Sequence, residues 1–118
     1  MSKGIRPSRV SSEIKEVLPG LITKNVRDPR FSKAGLFTLN HVELNKDLSV
    51  AHVYISFIGG DDSAIDGAVA ILSKVSPALR GQLGRSLAMK HAPQLRFRSD
   101  PGPEMHQKLA DLNRSAES

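Results

Sequence analysis

Between Leu48 and Ile58 the sequence alternates: Ala51, Val53, Ile55 and Phe57 are apolar, and His52, Tyr54 and Ser56 fall between them. Successive side chains of a strand point to opposite faces, so this spacing predicts a strand with one face buried and one face wet. Such a strand cannot stand alone. Its backbone groups need neighbouring strands, and its apolar face needs a second layer. The preceding stretch, Leu36 to Asn45, is also β-rich, and Asn45-Lys46-Asp47 between the two is turn chemistry. An antiparallel hairpin is predicted, and the covering layer has to come from the flanks.

Both flanks carry helical spacing. Upstream, Val10, Ile14, Val17, Leu18, Leu21 and Ile22 form one apolar stripe, which predicts a helix from Pro7 to Asn25. Pro19-Gly20 conflicts with it, since Pro19 removes the bond to the Lys15 carbonyl. A kink, or a helix in two pieces, is expected there. Asp28-Pro29-Arg30 ends the element. Downstream, Gly59 to Ser63 reads as loop, and Ile65, Ala68, Val69, Leu72 and Val75 mark a second amphipathic helix.

Ser76-Pro77 then predicts a break, because serine is a favoured N-cap and proline a favoured first helical residue. The new helix carries Leu79, Leu83 and Leu87 and closes at Ala92-Pro93. Gln94 to Arg98 makes a third strand, with Leu95 and Phe97 on one face. Past Pro101-Gly102-Pro103 a short helix from Glu104 to Leu112 is expected, and Asn113 to Ser118 should fray. The expectation is one α+β domain over residues 1–118, its ordered core about residues 6–100, with helices over one side of a three-stranded sheet.

A chain of 118 residues has room for one core. Only five aromatics are present (Phe31, Phe37, Tyr54, Phe57, Phe97), so aliphatic residues must fill most of it. Cysteine is absent, which excludes disulfides and thiolate metal sites and fits a reducing compartment. The start, Met1 to Arg6, lacks the apolar run of a secretory signal. An organelle transit peptide fits poorly, since Glu13 and Glu16 follow closely. No apolar run is long enough to span a membrane. A soluble cytoplasmic monomer is expected.

Charge is unevenly spread. Residues 1–33 carry eight bases against three acids, and residues 34–66 come to −4. Residues 67–99 hold Lys74, Arg80, Arg85, Lys90, Arg96 and Arg98 with no acid at all. Concentrated positive charge repels itself, and polyphosphate is its commonest partner. Within that segment Pro77, Gly81, Gly84 and Ala88 share a small-residue helix face flanked by Arg80 and Arg85. A helix start at Ser76 would add free N–H groups, and a bare strip between two guanidinium forks lets a phosphate backbone approach. The plainer alternative is that the small face packs tightly on another helix and the arginines are ordinary surface. Lys3, Arg6 and Arg9 form a second basic cluster, and Arg27 and Arg30 flank a turn between Lys24 and Lys33.

Catalytic patterns are poor. His41, His52, His91 and His106 have no metal-ligand spacing, and Asp61, Asp62 and Asp66 read better as a solvated loop and an acidic first helical turn. Phosphate-binding glycine loops and nucleophile elbows are absent. No enzyme, cofactor or metal is expected. Tyr54 is the aromatic placed off the core face, beside His52, which favours recognition of RNA backbone and shape over base reading.

Four stretches, in order, resemble the bacterial ribosome-binding factor A family: Arg9-Val10 with Glu13-Ile14; Val26 to Phe31; Asp47-Leu48-Ser49 with Ala51, Val53-Tyr54 and Ser56; and Leu83-Gly84-Arg85 followed by Pro93-Gln94-Leu95, Phe97 and Asp100. The resemblance covers about Arg6 to Asp100. It implies a type II KH-like fold, helix–strand–strand–helix–kink–helix–strand. It also implies binding to the small (30S) ribosomal subunit and its 16S rRNA in late assembly, 16S rRNA 5′-end processing and growth in the cold. The family's kink is of Ala-x-Gly type, and Val75-Ser76-Pro77 departs from it. The expected RNA-binding residues are Arg6, Arg9, Arg27, Arg30, Lys74, Ser76, Arg80, Arg85 and Lys90. The alternative is a KH-like adaptor that contacts ribosomal proteins or an assembly GTPase.

Overall fold

The first helix buries one residue per turn. Val10, Ile14, Leu18 and Ile22 of α1 (Pro7–Asn25) recur every fourth position and are almost wholly inaccessible. The structure is a computed structural model that describes residues 7–100. The Lys3–Arg6 end of the N-terminal basic cluster and the expected Glu104–Leu112 helix lie outside the described residues. α1 is a single helix through Pro19, so the two-piece alternative does not occur. A short helix that the spacing did not reveal follows, α2 (Pro29–Ser32). Its N-cap is Asp28, whose carboxylate accepts from the Arg30 N–H at 3.0 Å. Phe31 from this turn packs edge-on against Phe37 and Phe57, with centroids 5.6 and 5.9 Å away.

The hairpin is β1 (Gly35–Leu44) and β2 (Val50–Gly59), antiparallel. β2 starts later than expected because Leu48 has φ of 62°, which no strand residue adopts. The Asn45 side chain holds the turn by accepting from the N–H groups of Ser49 and Val50. β3 (Gln94–Ser99) pairs parallel to β2, giving the order β1-β2-β3. A parallel pair needs a crossover, and α3 (Asp62–Ser86) supplies it. Asp61 caps α3 by accepting from the Ala64 N–H, which accounts for the acidic loop without a metal.

Both long helices lie on one face of the sheet. Leu39, Val42, Ala51, Val53, Ile55, Leu95 and Phe97 meet Ala68, Ile71, Leu72, Leu79 and Leu83 of α3 and the α1 row in one core. This is the expected α+β architecture. Gly35 (φ 91°) admits the chain against β2, where a Cβ would stand 1.9 Å from the Ile58 carbonyl oxygen. The register slips between Leu39 and His41, a bulge that switches the buried phase from Phe37 and Leu39 to Val42 and Leu44. His41 thereby turns away from the core.

Candidate nucleic-acid interface

The interruption expected at Ser76-Pro77 is absent, and α3 is one helix from Asp62 to Ser86 with Pro77 inside it. Proline cannot donate to the carbonyl four residues back, which belongs to Ser73. The Ser76 hydroxyl donates to that oxygen instead, at 2.9 Å. Ser76 is therefore a substitute donor inside a helix and not an N-cap. The cradle of free N–H groups expected after it does not exist.

The helix also ends earlier than Ala92-Pro93. Leu87 is the C-cap, and Ala88 takes φ of 52°. The Ala88 N–H donates to the Arg85 carbonyl and the Met89 N–H to the Gly84 carbonyl, at 3.3 and 2.8 Å. This pair of bonds is a Schellman ending, with alanine where glycine is usual. It folds residues 88–92 back along the helix. Between helix and turn lies an open groove of about 720 Å³, and Pro77, Arg80, Gly81, Arg85, Lys90 and His91 are among its lining.

The small-residue face divides in two. Gly81 is exposed, and a Cβ there would have as its nearest neighbour the Arg85 guanidinium at 3.8 Å, so the groove floor is bare beneath that cation. Gly84 is buried, and a Cβ would press at 3.4 Å on Ala92 and the Met89 carbonyl oxygen. Gly84 is thus packed, though against the turn that follows α3 and not against another helix, and Gly81 leaves backbone open. Arg80 is pinned by donating from Nε to the Ala92 carbonyl oxygen at 2.8 Å. It also lines a smaller neighbouring groove with Ser76, Gln94 and Arg96. Among the described residues, no carboxylate lines either groove. A rim of guanidinium and ammonium groups around accessible helix backbone suits a phosphodiester chain.

The remaining expected residues are placed elsewhere. Lys74 precedes Gly81 by two helical turns, about 10 Å along α3. Its charge reaches Asp28, so it stands on the side of the Arg27–Arg30 turn. The Arg30 side chain and backbone N–H bind the Asp28 carboxylate and hold its pKa down at about 2. Arg30 is engaged in return, with Nη2 2.6 Å from that carboxylate and its own pKa raised. Arg27 is exposed. Arg9 pairs with Glu13 at 3.3 Å on the surface of α1. The structure brings Arg80, Arg85 and Lys90 together and leaves Arg9, Arg27, Arg30 and Lys74 outside their groove.

The sequence placed Tyr54 and His52 on the outer face of the sheet and missed the residues that join them there, His41, Arg96 and Arg98. His41, Tyr54 and Arg98 are in register across the three strands, beside Glu43, His52 and Arg96. Burial lowers the pKa of His52, helped by Arg98, and raises that of Tyr54. Both rings are uncharged at neutral pH. The alternation of Arg96 and Arg98 with Leu95 and Phe97 already carried the signal for β3. For His41 the one local signal was the three-residue step from Leu39 to Val42, which breaks the alternation of β1.

The sequence pattern of ribosome-binding factor A matches residues 6–113, nearly the whole chain. The chain belongs to the ribosome-binding factor A family. The ribosome-binding factor A of Desulforamulus reducens is 34% identical over 107 residues, which is 91% of this chain and 86% of that one. The crystal structure of ribosome-binding factor A from Thermus thermophilus superposes with a TM-score of 0.67 at 28% identity, covering 80% of this chain and 97% of that one. A homology model of the Thermus thermophilus factor, fitted into a cryo-EM map of a 30S–RbfA complex, gives a TM-score of 0.62 at 29% identity and covers 75% and 89%.

Proposed function

We propose that this chain is a non-catalytic assembly factor that binds the small ribosomal subunit through 16S rRNA. On this reading it works in the cytoplasm as a monomer, assists late maturation, and favours processing of the 16S rRNA 5′ end. The observation that carries the reading is the groove with Arg80, Arg85 and Lys90 on its rim and no carboxylate among the described residues of its lining. The fit of a relative into a 30S complex supports the choice of the small subunit. A factor that binds one arrangement of rRNA better than its competitors shifts the population towards it. That help matters most in the cold, where RNA rearranges slowly.

The direct test is Arg80→Glu with Arg85→Glu in the full chain, measured against purified immature small subunits. Affinity should fall at least tenfold while the circular-dichroism spectrum stays native. Wild-type affinity in that variant would overturn the groove as the rRNA site. A strain lacking the gene should grow slowly in the cold and accumulate small-subunit rRNA with an uncut 5′ end; normal 5′ ends would sink the processing role.

A second reading, an adaptor for a ribosomal protein or an assembly GTPase, draws on one feature. Leu36 and Ile58 are 77% and 69% exposed beside an apolar groove of about 870 Å³ under Pro19 and Phe31. Leu36→Ser with Ile58→Ser should then weaken binding to whole subunits and leave binding to naked 16S rRNA unchanged.

A further inference from the structure

The sheet has two faces, and among the described residues helices cover only one. On the uncovered face, His41 of β1 and Tyr54 of β2 are register partners, and their rings lie 5.8 Å apart at 31°. Such a tilted, near-parallel pair offers a nearly continuous flat surface across two strands. It exists because the bulge at Asn40 reverses the phase of β1; in an unbroken strand His41 would follow Phe37 and Leu39 into the core. The bulge is itself braced, since the Asn40 amide donates to the Ser56 hydroxyl and to the Asp100 carboxylate.

Next to the rings, β3 presents two cations. Arg98 is paired in register with Tyr54, and Arg96 with His52. Both arginines are exposed. Two residues apart on one strand, they stand about 6.6 Å from each other along it, the scale of successive phosphates in an unstacked chain. Two acids among the described residues share the face: Glu43, opposite His52 at the edge away from β3, and Asp100, whose carboxylate accepts from the Asn40 amide. His52 Nδ1 is shielded from water and has no hydrogen-bond partner among the described residues. Native structures rarely leave such an atom unpaired, and its cost argues that this surface is kept polar for a use. Aromatic and imidazole rings in a row, with guanidinium groups one strand away, suit stacked bases and their backbone.

We infer that the uncovered sheet face is a second RNA contact, on which one or two unpaired nucleotides stack against Tyr54 and His41 while Arg96 and Arg98 take the adjoining phosphates. The contact deepens the rRNA-binding reading: the α3 groove holds backbone, and this face selects single-stranded RNA over duplex. Paired bases cannot present their flat faces to the sheet, so a duplex gains nothing from the rings. Base identity is read weakly, because every base has a face that stacks.

The chain offers its own reporter. Tyr54 is its only tyrosine and it has no tryptophan, so intrinsic tyrosine fluorescence comes from this face alone. The experiment titrates the full chain with a single-stranded hexamer of uridylate or adenylate, and separately with a duplex of equal length. Quenching by the single strands and little by the duplex is expected. With fluorescently labelled hexamer, Tyr54→Ala should weaken binding roughly 5- to 150-fold, and Tyr54→Phe should restore it. Arg98→Glu, which leaves the groove that Arg96 shares with Arg80 untouched, should abolish the quench. Arg80→Glu with Arg85→Glu should keep it, which separates this face from the α3 groove. No quench in the wild-type chain, or equal loss in Arg98→Glu and in the Arg80 and Arg85 double variant, would overturn the inference. So would quenching by small-subunit proteins freed of RNA with none from the oligomers, an outcome that assigns the face to protein.

Discussion

At Pro77 the helix loses one backbone donor, and the neighbouring side chain supplies another. If the Ser76 hydroxyl matters because Pro77 leaves the Ser73 carbonyl without its usual partner, the two residues are energetically coupled. Ser76→Ala alone should cost about 0.5–1.5 kcal/mol. In a Pro77→Ala background, where a backbone N–H serves that carbonyl, the same change should cost almost nothing. A thermal-denaturation cycle over the four proteins measures the coupling, and additive effects would show that the bond is incidental. Ala88 carries a different strain, for an L-residue at φ of 52° crowds its own carbonyl. Ala88→Gly should therefore stabilise the fold by about 1 kcal/mol, read as a higher midpoint in urea. Arg85 and Lys90 stay where they are in that variant, so subunit affinity should be unchanged.

At the scale of elements, burial decides what proline does. Leu72, Leu79 and Leu83 lie on both sides of Pro77 and are fully buried. Burying a leucine contributes about 1.5–3 kcal/mol, so three of them outweigh the roughly 3 kcal/mol that an interior proline costs. The same holds for α1, where Leu18 and Ile22 flank Pro19 and are buried. A residue after that proline remains open to improvement. Gly20 is exposed, and a Cβ there would meet nothing within 4 Å. Gly20→Ala should add about 0.5–1 kcal/mol by lowering the entropy of the unfolded chain and favouring helix. Chemical denaturation checks it, and a loss of stability would mean that α1 uses the glycine to bend around its proline. Strand β1 shows the opposite relation, since its bulge follows from the apolar spacing: Phe37 and Leu39 need one phase, Val42 and Leu44 the other.

For the molecule as a whole, the charge distribution sets how binding responds to salt. Three phosphate contacts from Arg80, Arg85 and Lys90 would give a slope of about 2–3 in log affinity against log salt. Reversing Arg80 and Arg85 should flatten that slope by about 1.5–2, measured on small subunits at several potassium concentrations. An unchanged slope would place the counterion release on other cations. The fold and the acid-free character of residues 67–99 were legible in the sequence, because periodicity and composition are local properties that pairwise packing only has to respect. Helical spacing at Val10, Ile14, Leu18 and Ile22, and alternation at Ala51, Val53 and Ile55, named the buried faces correctly. The site was legible only in part. Ser76-Pro77 has the local signature of a helix start, yet leucines that contact distant strands hold both halves in one helix. Whether Gly81 or Gly84 is bare depends on where residues 88–92 fold back, and whether His41 is core or surface depends on the pairing of β1 with β2. Those choices rest on contacts between residues far apart in the chain, whose energies exceed the local preferences that a sequence displays.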